Sequence, residues 1–455
     1  MINLIEKAIP FFFILIAVEI GVSYLVRRAN YRYADSINDL SMGIVDQVGG
    51  AFLKSVIGAG YIYLYTNHAL FAIPMDSTAA WIACLLLYDL MYYWAHRCSH
   101  DINIMWGSHI PHHQSEEYNL TVALRQGVFQ GCFFWIFYLP LALIGFPPYM
   151  FITMASVDTL YQFWIHTRTI GKLGPLEWIL NTPSHHRVHH AKNPKYIDRN
   201  HGGILIIWDR LFGTFAEEEE EPIYGTATPL RSWNPVWGQV HYWIDLFKLA
   251  WKAPRWQDKL LIWFKKPAWR PQGLEKDGPP AYLTREFYMK YDPKIPVGLS
   301  LYTLFQFVPT LIIGTTFLKY ETSMLWTTRG GVAGLVIITL VCIGGVFESK
   351  RWAYLLELFR HPVMIAAGFI WAQLAFGLDT FTGQLWAAFA TVYSAAMLAW
   401  LVQYRDILKR PFGPLPTSID TIRPVESARR PPFIPAEEAI APASLPNTLS
   451  RNARD

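Results

Sequence analysis

Leu85-Leu86-Leu87-Tyr88-Asp89-Leu90-Met91-Tyr92-Tyr93-Trp94-Ala95-His96-Arg97-Cys98-Ser99-His100, residues 85–100, is an apolar run that ends in two histidines four positions apart. Positions three and four apart share one face of a helix, so His96 and His100 would aim at a single point from the end of an apolar segment. The run lies within Ala79 to Ala95 and its continuation, close to the roughly 20 apolar residues needed to cross a hydrocarbon core of about 30 Å. A membrane helix finishing in a pair of metal ligands is therefore the organising expectation for the chain.

The remaining sequence extends that expectation. Of 455 residues, 52% belong to the AVILMFWYC set and 16% are charged, against roughly 25% charged in a soluble domain. Further apolar windows run from Ile9 to Val26, Val48 to Tyr65, Gly127 to Ile165, Val297 to Phe317, Gly331 to Phe347, Pro362 to Leu378 and Gln384 to Val402. The double-length window is broken at Phe146-Pro147-Pro148, where a helix cannot continue, so it predicts a hairpin of two spans. The fold class is an all-α integral membrane protein with about eight or nine transmembrane helices. The first window has no basic start and no small-residue cleavage site, and is expected to be an anchor.

The formal charge of +4 marks topology and no nucleic-acid partner. If residues 27–47, 96–126, 166–296, 348–361 and the tail share one side, that side holds all but Lys7, Lys54, Lys319 and Arg329 of the 39 Lys and Arg. The positive-inside rule makes it cytoplasmic, in the plasma membrane of a bacterium or the endoplasmic reticulum of a eukaryote. Four cysteines without a CxxC pair offer neither a disulfide framework nor a zinc-ribbon or iron–sulfur site. The expected organisation is N-terminal spans over 1–80, a catalytic region over 81–220, a cytoplasmic Trp-rich amphipathic segment over 221–296, C-terminal spans over 297–403 and a disordered tail over 404–455.

Eleven of the fourteen histidines fall between His96 and His201. Three clusters stand out: His96/His100 as HxxxH, His109/His112/His113 as HxxHH, and His186/His189/His190 as HxxHH preceded by His185. At this histidine frequency, chance gives on the order of 0.01 HxxHH matches per chain, so these are read as metal ligands. His166 joins them by topology, where the fifth span returns to the same side. Pro111 fits a first helical turn better than an interior. Such a number of imidazoles exceeds the needs of one ion and predicts two metals, and imidazole suits Zn, Cu, Fe and Ni alike. An all-imidazole set leaves the metal charge uncompensated, so Asp89 and Asp158, seven and eight residues before His96 and His166, are expected as outer partners of ligand N–H groups.

HxxxH, HxxHH and HxxHH on the ends of membrane helices resemble the fatty-acid hydroxylase/sterol desaturase superfamily. The segments His100-Asp101-Ile102-Asn103-Ile104-Met105-Trp106, Asn181-Thr182-Pro183-Ser184-His185-His186-Arg187-Val188-His189-His190 and Gly202-Gly203-Ile204-Leu205-Ile206-Ile207-Trp208-Asp209-Arg210-Leu211-Phe212-Gly213 are similar to its ether-lipid branch, the alkylglycerol monooxygenase family. That resemblance implies a non-haem di-iron centre using O2 to hydroxylate a lipid C–H bond, with ether cleavage to a fatty aldehyde and a glycerol derivative. It implies His96, His100, His109, His112, His113, His186, His189 and His190 as iron ligands, His166 as a ninth, and His185 as an outer neighbour. Asp101 stands where that branch carries a glutamate associated with tetrahydrobiopterin, one methylene shorter here. His201 stands where superfamily members often have tyrosine.

No GxGxxG following a strand and no Cys-ligated cluster is present in the sequence, so electrons must come from an external donor, a tetrahydropterin or a redox protein. Two other readings compete. One is a sister enzyme acting on a fatty acyl, sterol or carotenoid substrate. The other is a histidine-rich metal transporter or sensor, which predicts ionisable residues along a path deep in several spans. The acidic run Glu217 to Glu221 reads as solvated surface, and the C-terminal spans as packing.

Overall fold

The computed structural model describes residues 4–274 and 290–408. Among them the chain forms sixteen α-helices: α1 (Leu4–Leu25), α2 (Tyr33–His68), α3 (Thr78–Asp101), α4 (Asn103–His113), α5 (Leu120–Ala123), α6 (Gln130–Ile144), α7 (Pro148–Ile165), α8 (Pro183–His189), α9 (Ile207–Phe212), α10 (Pro235–Lys252), α11 (Trp256–Leu261), α12 (Val297–Tyr320), α13 (Trp326–Phe347), α14 (Arg351–Phe376), α15 (Phe381–Gln403) and α16 (Arg405–Leu408). The described residues hold no strand, only two isolated bridges, Leu180 to Leu205 and Ala191 to Tyr224.

Five stretches are long and apolar enough to cross a membrane: Lys7–Leu25, Val297–Ser323, Trp326–Phe347, Arg351–Phe376 and Phe381–Gln403. A sixth is the pair Tyr33–Leu53 and Ile57–His68, bent by 45°. The helices of the histidine clusters, α3 and α4, do not meet that criterion, nor do α6 and α7 beside them. Helix α3 spends its last turns on His96, Arg97, His100 and Asp101, and α6 has 15 residues.

Helix α3 starts on Ser77, whose side chain accepts from the Ala80 amide at 3.3 Å, and it packs on α4, α6 and α7. Tyr88 stacks on Tyr138 of α6 at 4.7 Å, within an apolar cluster that includes Phe134, Phe146, Met150 and Met154. The expected break between α6 and α7 is present. Gly145 closes α6 at φ 111°, and a Cβ there would lie 1.8 Å from the Phe71 carbonyl oxygen, so the turn needs glycine twice over. Pro111 lies in the last turn of α4, not the first, and the HxxHH segment is helical regardless.

The C-terminal half differs from expectation. Residues 348–361 do not form a loop: α13 ends at Phe347 and α14 begins at Arg351. Glu357, Arg360 and His361 are buried within α14, where they pair with one another. One Glu357 carboxylate oxygen accepts from Arg360 at 2.6 Å and Tyr302 at 2.7 Å and lies 3.1 Å from His361 Nε2, while Arg360 donates to Gln306 at 2.7 Å. Hydropathy alone reads these charges as a boundary, and their pairing reverses that reading. The expected tail begins with the short helix α16, where Leu408 is buried; residues 409–455 lie outside the described residues.

Removing one member of a buried charge set strands its partner, at a cost of roughly 3–5 kcal/mol. Glu357→Ala is expected to lower the free energy of unfolding in mild detergent by that amount, with Arg360 left uncompensated between α12, α13 and α14.

Candidate metal centre

Four elements meet at one level. The last turns of α3 bring His96 and His100, α4 brings His109, His112 and His113, the residue closing α7 is His166, and α8 with its closing residue brings His186, His189 and His190. All nine are exposed by 5% or less. They divide into two groups, His96, His100, His109, His113 and His189, and His112, His166, His186 and His190, with one ring nitrogen from each member within 4.8 Å of those of the others in its group. Every histidine singled out as a ligand falls in one of the groups. His185 falls in neither and packs its ring on Phe215.

The spacing fits an ion. His96 Nε2 and His113 Nε2 each lie 3.0 Å from His109 Nε2, His166 Nε2 lies 3.3 Å from His112 Nε2, and His186 Nε2 lies 3.0 Å from His166 Nε2. Metal–imidazole bonds of about 2.0–2.1 Å put adjacent ligands about 3 Å apart and opposed ones about 4.2 Å apart. The Nε2 atoms of His100, His189 and His190 are buried without any protein hydrogen-bond partner, a condition a metal relieves and an apolar core does not.

The other ring nitrogens fix the rings. His96 Nδ1 faces the His201 carbonyl at 2.8 Å, His112 Nδ1 that of Arg125 at 2.7 Å, His166 Nδ1 that of Gln162 at 2.6 Å and His189 Nδ1 that of Arg199 at 2.9 Å. His109 Nδ1 faces the Gln130 side-chain oxygen at 2.9 Å. Each ring can then donate from Nδ1 and present a lone pair from Nε2. Backbone carbonyls thus do most of what carboxylates were expected to do, and a carbonyl partner leaves no residue-type signature in sequence. Gln130, seventeen residues beyond His113, has no signal in the sequence either.

The acidic residues are placed around this shell. Asp89 accepts from the amides of Ile204 (2.7 Å) and Leu205 (3.1 Å) and from Trp208 Nε1 (2.8 Å). Asp158 accepts from Gln162 Nε2 at 2.6 Å, and so reaches His166 only through Gln162. Asp209 takes the amides of His201 and Gly202 at 2.8 and 2.7 Å, shaping the loop whose carbonyl orients His96. Asp198 lies 3.5 Å from His100 Nδ1. Asp101 pairs with Lys266 at 2.7 Å. His201 stands behind the five-histidine group, its ring 5.1 Å from that of His100.

A cavity of about 440 Å³ adjoins the imidazoles, with His109, His112 and His166 in its wall beside Tyr88, Tyr92, Tyr138 and Phe134. A pair of metals with an apolar cavity against them can perform oxidation on a lipid chain.

Comparison with known proteins agrees with that chemistry. The fatty acid hydroxylase family model matches residues 81–214. The chain is 40% identical over 362 residues to an alkylglycerol monooxygenase of Xenopus tropicalis, covering 78% of this chain and 80% of that protein. It is 36% identical over 407 residues to an alkylglycerol monooxygenase of Homo sapiens, covering 88% and 89%. An ornithine lipid hydroxylase of Rhizobium tropici is 27% identical over 201 residues, 40% of this chain and 58% of that one. No solved structure matches.

Burial drives the imidazoles towards the neutral form. His112 is pushed down to about 4, and His109, His113, His186, His189 and His190 lie well below the usual imidazole range, where charge on neighbouring imidazoles adds to desolvation. A group whose pKa falls on folding binds fewer protons folded than unfolded, so its contribution is whole above the unfolded value and lost as pH falls. Chelator-treated protein is therefore expected to unfold at progressively lower temperature as pH drops from about 6.5 towards 4. A melting temperature flat across that window would contradict the burial argument.

Proposed function

We propose, from the premise that the chain belongs to the alkylglycerol monooxygenase family, that it is a membrane-bound non-haem di-iron monooxygenase acting on the alkyl carbon next to the ether oxygen of an alkylglycerol. The observation that carries this reading is the division of nine buried imidazoles into groups of five and four against an apolar cavity. Irons held by those groups would supply O2 reduction and hydrogen abstraction from the C–H bond beside the ether oxygen.

The chain supplies position, neutrality and dryness. The Nδ1 contacts of His96, His109, His112, His166 and His189 aim their Nε2 lone pairs inward. Phe134, Tyr88 and Tyr138 keep the reacting carbon out of water. A hydroxyl placed on the carbon beside an ether oxygen makes a hemiacetal, which breaks into fatty aldehyde and glycerol. One oxygen atom of O2 enters the lipid and the other leaves as water, with two electrons and two protons from an external donor. We assign that donor as a tetrahydropterin and Asp101 as its contact, on the resemblance at that position. We also place the imidazole level at the cytoplasmic face, on the distribution of Lys and Arg, with eight or nine crossings when α3, α6 and α7 are counted.

The test uses protein reconstituted in vesicles with a 1-alkylglycerol, O2 and tetrahydropterin. Fatty aldehyde is expected, with two irons per chain, and His112→Ala is expected to reduce aldehyde to background. Gln130→Leu removes the acceptor that orients His109 and is expected to weaken iron binding about 10–100-fold. A hydroxylated lipid without aldehyde would transfer the reading to a sister hydroxylase, one labile zinc per chain would overturn the oxygenase, and aldehyde without pterin would replace the donor.

A further inference from the structure

The helices that supply the imidazoles do not close the cavity. Phe12 and Phe13 of α1, Ile44 of α2, and Leu311, Gly314 and Leu318 of α12 also line it. Both α1 and α12 lie outside residues 81–214, the segment matched by the hydroxylase family model. Helix α12 begins more than a hundred residues after His190, so the C-terminal half contributes directly to the space in front of the metals.

The chemistry of the walls differs between the elements beside the imidazoles and α12. Within a turn or two of them the lining includes Tyr92, Gln130 and Gln162. On α12 the residues facing the cavity, Leu311, Gly314, Thr315 and Leu318, fall at i, i+3, i+4 and i+7, one face of a helix. The one hydroxyl among them is spent internally: Thr315 Oγ1 donates to the Leu311 and Ile312 carbonyls at 3.0 and 2.9 Å. Asp46 and Gln47, polar residues of α2 in the lining, bond each other at 2.7 Å. The faces that α1 and α12 give to the cavity, Ile9, Phe12 and Phe13 with Leu311 and Leu318, are hydrocarbon.

Gly314 is the one position on that α12 face without a side chain. A Cβ there would meet Ile44 Cγ2 at 3.4 Å and nothing else within 4 Å, so no close backbone approach demands glycine. We propose that α12 walls the channel for the substrate's hydrocarbon tail and that the missing side chain at Gly314 sets the chain length accepted. This rests on the lipid monooxygenase reading. The occupant is a single alkyl chain, anchored by its reacting carbon at the imidazoles and extending towards Leu311 and Leu318.

The experiment compares kcat/KM for short-chain and long-chain 1-alkylglycerols in reconstituted wild type, Gly314→Leu and Leu318→Ala. One methylene of misfit in an apolar pocket is worth roughly 10-fold or more in kcat/KM, so Gly314→Leu is expected to lower the long-to-short ratio at least about tenfold. Leu318→Ala is expected to raise that ratio. Unchanged ratios in both variants, or a uniform fall at every length with wild-type iron content, would overturn the proposal. If Gly314→Leu does not fold, the direction of the Leu318→Ala ratio decides. If wild type hydroxylates another lipid and makes no aldehyde, the ether reading fails, and the same ratios on a homologous series of that lipid still decide the channel.

Discussion

Nine imidazoles must stay neutral, buried and nearly touching. Lone-pair nitrogens 3.0 Å apart, as in His96, His109 and His113, repel unless a cation lies between them, and each buried ring left without a partner forfeits its hydration. The fold around them answers that condition. Three helix ends and a short helix converge on one level, and carbonyls at Arg125, Gln162, Arg199 and His201 turn the rings inward. Asp89 and Asp209 then hold the loop that supplies the His201 carbonyl. The carboxylates work on the scaffold more than on the rings, leaving the imidazole shell uncharged.

The site is legible in the sequence because helix periodicity writes itself into spacing. HxxxH and HxxHH state which rings share a face, so spacing alone names eight positions, and a ninth follows from the return of α7 to the same level. Orientation is not legible, since a carbonyl belongs to every residue and contact with it depends on loop path alone. Gln130 shows the same limit from the side-chain side: its amide is an ordinary helix-start residue until α6 is packed beside α4. Asp89 and Asp158 are recognisable as costly acids near span ends, yet their partners depend on the 201–208 loop and on Gln162, which spacing along one helix does not reveal.

The span pattern is readable where residues face lipid and misleading where charges pair. Glu357, Arg360 and His361 read as a polar connection, because hydropathy sums residues singly and makes no allowance for mutual satisfaction. Tyr302 and Gln306 from α12 complete that set, so α12 is fixed to α14 at one end while its other end faces the catalytic cavity. The late helices are thereby joined to the chemistry through packing, in a segment without a single metal-ligand motif.

Helix α4 is held by residues of α10 and of the stretch that follows α11. Trp243 of α10 donates to the Ile104 carbonyl at 2.9 Å over Gly107, where a Cβ would lie 2.1 Å from the indole nitrogen. Asn103 Nδ2 donates to the Ile262 carbonyl at 2.7 Å, and the Ile104 amide donates to the Trp263 carbonyl at 2.9 Å. The same segment exposes Phe247, Trp251, Trp256 and Phe264, the amphipathic side chains that settle at a bilayer interface. These bonds tie the segment that carries the exposed aromatic rings to the helix that carries three of the nine imidazoles. A shift of that segment is therefore passed to His109, His112 and His113 together, as one rigid displacement of a single helix end.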